Sequence, residues 1–153
     1  MRFRAKPLFL GICLTGGFLA ITVPAMARTT TGWNSFRVWS PLGAETCVGE
    51  SFGAAVNICD YNINLTFELL VDTPGLKTVR VLDAPGGYGA FTCAAVSFSG
   101  QNNGLVSSDA KTFNPSGQEA LTFQVFLSAD WGMAVYCWGV SPTKGIATIT
   151  WNP

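Results

Sequence analysis

The sequence predicts an all-β domain, an antiparallel β-sandwich or jelly roll of about eight or nine short strands with two disulfides. Three observations carry that prediction. Apolar residues recur with a period of two along most of the chain. Turn signals interrupt them roughly every 8 to 12 residues. Four cysteines fall within the segment that this pattern covers. No window offers a sustained apolar stripe of helical period, and the acidic-to-basic pairs that support an exposed helix are absent around Gln118 and Glu119.

Residues 1–27 stand apart from that pattern. Arg2, Arg4 and Lys6 form a positive start, Leu8 to Val23 an apolar stretch, and Ala25-Met26-Ala27 the small-x-small pattern that precedes a cleavage point at Arg28. The stretch is interrupted by Gly11, Gly16 and Gly17 and closed by Pro24. It falls short of the roughly 20 residues that span a bilayer. The expectation is a secretory signal peptide, export to the periplasm or the extracellular space, and one secreted domain over residues 28–153 with no membrane span after cleavage. Cys13 departs with the signal peptide, so five cysteines become four.

From Arg28 onward, each element has its own justification. Thr29-Thr30-Thr31-Gly32 reads as a short flexible leader, and Ser35 to Trp39 as a first strand ended by Pro41. Leu42 to Gly53, rich in Gly, Glu and Ser, reads as a loop tied down by Cys47. Val56 and Ile58 alternate with Asn57 and Cys59, and Asp60-Tyr61-Asn62-Ile63-Asn64 follows as a turn. Leu65, Phe67 and Leu69 alternate before the turn tetrad Asp72-Thr73-Pro74-Gly75. Val79 and Val81 flank Arg80, and Asp83-Ala84-Pro85-Gly86-Gly87 ends that strand. Phe91, Cys93 and Ala95 share a face, and Ser99 to Gly104 is a polar loop. Lys111 to Phe113 is a weak strand stopped by Asn114-Pro115-Ser116-Gly117. Leu121, Phe123, Val125 and Leu127 show the clearest alternation. Met133 to Val140 and Ile146 to Trp151 complete the set, joined by Ser141-Pro142-Thr143-Lys144-Gly145.

The cysteines Cys47, Cys59, Cys93 and Cys137 permit three connectivities. Cys93 and Cys137 both lie inside expected strands, on faces shared with Phe91 and Ala95 and with Met133 and Val135, which favours a core-facing bridge between them. Cys47 and Cys59 then pair locally. Their intervals of 11, 33 and 43 residues lack the close spacing of a zinc site. The strand motifs Asn57-Ile58-Cys59, Val79 to Asp83, Phe91 to Ala95, Glu119 to Phe123 and Tyr136-Cys137, with the closing strand Gly145 to Thr150, resemble small secreted bacterial β proteins of uncharacterised function. The resemblance implies a secreted β domain with paired cysteines and brings no site residue with it.

Composition narrows the chemistry. Between Arg28 and Pro153 six basic residues face nine acidic ones, a net charge of −3, and the basic residues are scattered singly. That is not the footprint of a nucleic-acid binder. The chain has no histidine, which removes the usual base of serine and cysteine hydrolases and the commonest metal ligand. No cofactor motif is visible. Carboxylate-pair glycosidase chemistry needs only two acids; Glu45 and Glu50 flank Cys47, and Asp83 and Asp130 stand at strand ends, all without diagnostic spacing. Asp60-x-Asn62-x-Asn64 imitates half of a calcium loop, but Leu65 and Val71 occupy the positions that need Gly and Glu.

Aromatic residues supply the remaining signal. Tyr88, in Pro85-Gly86-Gly87-Tyr88-Gly89, and Trp131, after Asp130, are loop residues and the candidate ligand-binding side chains, while Tyr136 and Trp138 occupy the face opposite Cys137. A sugar presents an apolar face that lies on an aromatic ring. The leading expectation is therefore a non-enzymatic binding or surface-interaction module with a glycan or cell-surface partner and no cofactor or metal. The alternatives are a structural component of an extracellular layer or fibre and, third, a carboxylate-based glycosidase.

Overall fold

Alternating apolar residues give each strand one buried face, and that face decides how the strands stack. The structure is a computed structural model that describes residues 27–32, 36–38, 44–86, 88–99, 104–115 and 118–152. The expected signal peptide, apart from Ala27, lies outside the described residues. In chain order the strands are β1 (Arg28–Thr31), β2 (Phe36–Val38), β3 (Val48–Ser51), β4 (Ala54–Asn57), β5 (Ile63–Leu69), β6 (Gly75–Asp83), β7 (Phe91–Phe98), β8 (Leu105–Ser107), β9 (Lys111–Phe113), β10 (Ala120–Leu127), β11 (Gly132–Val140) and β12 (Gly145–Trp151). A 3₁₀ turn, Ala44–Cys47, leads into β3.

All pairings among these strands are antiparallel, and they form two sheets. The first has the order β10-β6-β12-β4-β3, with β1 added to β12. The second has the order β2-β5-β11-β7-β8, with β9 also on β7. Val79 and Val81 of β6, Phe123 and Val125 of β10 and Ile149 of β12 face Leu65, Phe67, Phe91, Ala95 and Val135 from the other sheet in one core. Burying each large side chain of this kind stabilises the fold by about 1.5–3 kcal/mol. The molecule is the expected β-sandwich.

Both disulfides take the favoured pairing, Cys47–Cys59 and Cys93–Cys137. Cys93 and Cys137 are directly opposite residues on β7 and β11, with Cα atoms 4.1 Å apart, and both are fully buried. Cys47–Cys59 closes the shorter loop, and the Tyr61 hydroxyl donates to Cys47 Sγ at 2.9 Å.

Four local expectations are corrected. Thr29 to Thr31 is not a leader but part of β1, because β4 covers only Gly145 and Ile146 on one side of β12 and the threonines pair with the stretch beyond, Thr29 opposite Thr150 and Thr31 opposite Thr148. Within Leu42 to Gly53 the described residues form the 3₁₀ turn and β3 rather than a loop, since β3 folds back on β4 through Phe52-Gly53. Ile63 and Asn64 already belong to β5 rather than to the preceding turn. At β4 the apolar alternation is misleading: Asn57 is fully buried and Ile58 is 63% exposed. The Asn57 amide explains this. Its Nδ2 donates to the carbonyls of Tyr61 (2.7 Å) and Val140 (2.8 Å), while its Oδ1 accepts from Cys59 N (3.0 Å). A buried polar side chain satisfied in this way ties the turn after β4 to the end of β11.

Candidate functional site

The outer face of the second sheet carries the main cleft. Tyr136 and Trp138 stand two residues apart on β11, so both leave the same face, opposite the buried Cys137. Their ring centroids are 5.6 Å apart and their planes differ by 26°. Across β7, Tyr136 faces Ala94 and Trp138 faces Thr92; across β5, Tyr136 faces Thr66. These small partners leave the two rings as the tallest side chains of the central strands.

Beside the rings lies a solvent-open cleft of about 620 Å³. Register assigns its parts. Ala94 and Val96 of β7 form the floor, Tyr136 and Trp138 one wall, and Leu105 and Ser107 of β8 with Ala110 the other. Asn64 and Gly139 lie at the Trp138 end. There the β5–β11 register shifts between Cys137 and Val140, and Gly139 takes φ +68°. The shift is a β-bulge, a device that re-aims neighbouring side chains. Asn64 Oδ1 accepts from Gly139 N at 3.1 Å and holds the bulge in place. With apolar walls and a few polar groups, the cleft can bind a ligand that has an apolar face and hydroxyl edges.

The loop aromatics expected from the sequence lie elsewhere. Tyr88 is 88% exposed in the β6–β7 connection, and Trp131, half-buried after the β10–β11 turn, packs against the core. A Cβ at Gly104 would sit 2.6 Å from the Trp131 ring, so glycine there makes room for it. β6 begins opposite Leu127, near Trp131, and ends at Asp83, near Tyr88. The two rings are therefore a strand length apart, roughly 26 Å at 3.3 Å per residue. Neither lines the main cleft, and they do not form one site.

Trp131 does line a second cleft of about 280 Å³ with Asp72, Thr73, Pro74 and Asp130 among its residues. Lys77, buried beneath this end of β6, donates to Thr73 Oγ1 at 3.0 Å. Burial pushes its ammonium below the usual lysine range, and the Asp72 carboxylate pulls in the opposite direction. Asp72 is also ion-paired with Arg28.

Of the acids singled out in the sequence, Asp83 and Asp130 do not converge, whereas Asp72, which was not singled out, shares the Trp131 cleft with Asp130. Asp83 is buried in an ion pair with Lys144 and lies at the opposite end of the sandwich from Asp130. Glu50 is exposed at the β3 edge. Asp60 and Asn62 are exposed, while the Asn64 oxygen is committed to Gly139, so the half calcium loop is not assembled. Among the described residues no group of three His, Cys, Asp or Glu could hold a metal ion, and no helix is long and apolar enough to cross a membrane. What sequence reading missed is Asn64, Ala94, Ser107 and Gly139. The sequence signal that could have found the bulge is aromatic-x-aromatic followed by Gly139.

No family model and no curated protein matches the sequence. Solved structures match the fold. A CBM1 of BiXyn10A in its apo form matches with a TM-score of 0.53 at 10% identity, over 82% of this chain and 96% of that one. The C-terminal CBM6 of LamC, a marine laminarinase of Zobellia galactanivorans, matches with a TM-score of 0.50 at 10% identity, over 84% of this chain and 100% of that one. A GH26-CBM35 β-(1,4)-mannanase of Podospora anserina matches with a TM-score of 0.50 at 18% identity, over 84% of this chain and 28% of that one. CBM denotes a carbohydrate-binding module. At such identities the likeness is one of fold, the β-sandwich.

Proposed function

We propose that the chain is a non-catalytic carbohydrate-binding module of an exported protein, and that it binds glycan in the cleft on the outer face of the second sheet. The observation that carries this reading is the Tyr136–Trp138 pair, two stacked rings 5.6 Å apart along the wall of a cleft of about 620 Å³. Sugar rings lie with their C–H faces on aromatic side chains, and amide and hydroxyl groups such as those of Asn64 and Ser107 bond their edges. The fold supports the reading, since the similar solved structures include modules named for carbohydrate binding. The two disulfides fit an oxidising compartment.

The fibre alternative has less support at β10, an outer edge of the first sheet. Thr122 O there accepts from Lys111 Nζ, and Phe126 O accepts from Ser97 Oγ at 2.7 Å, so side chains already occupy two of the carbonyls that a docking strand would use.

A glycan array tests the proposal. Wild-type protein gives signal on a set of glycans, Tyr136→Ala/Trp138→Ala loses it, and Tyr88→Ala keeps it. Full signal from the double variant, with its fold intact by circular dichroism, removes the proposal. Hydrolysis of chromogenic glycosides by the wild type would restore the enzyme reading.

A further inference from the structure

The lining of the main cleft is uncharged throughout, and the chain arranges its charges to keep it so. On the wall opposite the rings, Ser107 and Ala110 face the cleft. The intervening Asp109 and the next residue, Lys111, line a different cleft between the two sheets, together with Thr122 and Gln124. Lys111 is held there by its bond to Thr122 O and by the Phe123 ring, whose centroid lies 5.6 Å from Nζ. The nearest outward charge on the central strands is Glu68, opposite Ala134 on β11, one outward position from Tyr136. The described lining offers no cation to an anionic ligand, and the one charged residue of β5, β7 and β11, Glu68, would oppose one.

We infer that the ligand of this cleft is a neutral polysaccharide segment, and that uronic-acid and sulfated glycans are excluded; this rests on the carbohydrate reading above. A carboxylate or sulfate brought against Ala94, Val96 and Leu105 would lose hydration with no Lys or Arg to compensate. A neutral sugar loses only hydroxyl hydration, which Asn64 and Ser107 can replace in part, and gains ring contact with Tyr136 and Trp138. The cleft also favours a chain segment over an engulfed single sugar. Its far wall is open, with Leu105, Ser107 and Ala110 all exposed, and two successive rings line the other side along β11.

Native affinity electrophoresis separates the outcomes. The protein is run through gels that contain hydroxyethylcellulose, galactomannan, polygalacturonate or dextran sulfate. The expected result is retardation by at least one neutral polymer, lost in Tyr136→Ala/Trp138→Ala, with unchanged mobility in both anionic gels. Ser107→Lys, at an exposed position, is expected to gain retardation in polygalacturonate. Retardation of the wild type by an anionic polymer, abolished in the double variant, overturns neutrality and leaves the carbohydrate reading standing. So does Ser107→Lys without any gain. Absence of retardation in every gel overturns the carbohydrate reading itself, and this inference with it.

Discussion

Lys144 Nζ lies 3.4 Å from Asp83 Oδ2, and both side chains are wholly shielded from solvent. The pair links the end of β6 to the turn before β12, where Asp83 Oδ1 also accepts from Glu119 N. Two opposite charges buried together are tolerated, whereas one left alone is not. Lys144→Met is therefore expected to cost about 3–5 kcal/mol, because it strands the Asp83 carboxylate. Asp83→Asn/Lys144→Met keeps an oxygen for Glu119 N and is expected to recover most of that loss. Urea unfolding of the single and double variants measures both; equal destabilisation would show that charge is not the cause.

The two disulfides differ in shielding. Cys93 and Cys137 are fully buried, whereas Cys59 is half-exposed. Graded reductant with thiol counting by mass is expected to open Cys47–Cys59 first. Removing Cys93–Cys137, with its separation of 44 residues, should cost roughly 4 kcal/mol, and removing Cys47–Cys59, with its separation of 12, roughly 3 kcal/mol under the loop-entropy model. Simultaneous release of all four thiols at low reductant would contradict the order.

Gly139→Ala separates the bulge from the rings. Nothing lies within 4 Å of an added Cβ, so the strain comes only from φ +68°. The expected stability cost is about 1–2 kcal/mol. Glycan affinity is expected to fall about tenfold, or ~1.4 kcal/mol, as Trp138 is re-aimed. Isothermal titration would return wild-type affinity if the bulge were irrelevant to binding.

Burial depresses the Lys77 pKa, so the unfolded chain holds a proton that the folded chain has released as pH rises toward the ordinary value of 10.5. Stability then rises with pH across that window, because the unfolded state binds more protons. Below the folded pKa both states are protonated and the burial penalty is fully present. Lys77→Met has no such group, and its melting temperature relative to wild type should decline as pH is raised toward 10.5. A constant difference between the two proteins would exclude the effect.

Phe52 occupies the first position of the two-residue β3–β4 turn with φ +50°, followed by Gly53 at φ +78°, and its ring is fully exposed. Positive φ at both turn positions suits Asn-Gly far better than Phe-Gly. Phe52→Asn is expected to stabilise the domain by about 1 kcal/mol, read as a higher melting temperature. A lower melting temperature would mean that the ring contributes packing.

Strands whose buried residues alternate strictly were legible in the sequence. Leu65-x-Phe67-x-Leu69 and Phe123-x-Val125-x-Leu127 each have an apolar side facing one core. Strands that exist only because of a partner were not. β1 is three threonines after an arginine, ordered by the β12 edge, and every residue of β8 is exposed. Asn57 defeated the pattern because its inward position is justified by hydrogen bonds to Tyr61 and Val140, which are distant from it in different ways along the chain. The candidate site divided in the same manner. The rings at Tyr136 and Trp138 were visible as residues of one face, yet only the β7–β11 register places Ala94 across from Tyr136 and opens a cleft there. Loop position favoured Tyr88 and Trp131, and the fold put them at opposite ends.

The pairing of Arg28 with Trp151 brings β1 and β12 side by side in the first sheet, while the cleft opens on the outer face of the second. A linker attached ahead of β1 or beyond β12 would leave from the same corner of the molecule. Whichever end is tethered, to a bead, a sensor surface or a fused enzyme, the rings are presented away from the anchor, so either end serves equally for oriented immobilisation.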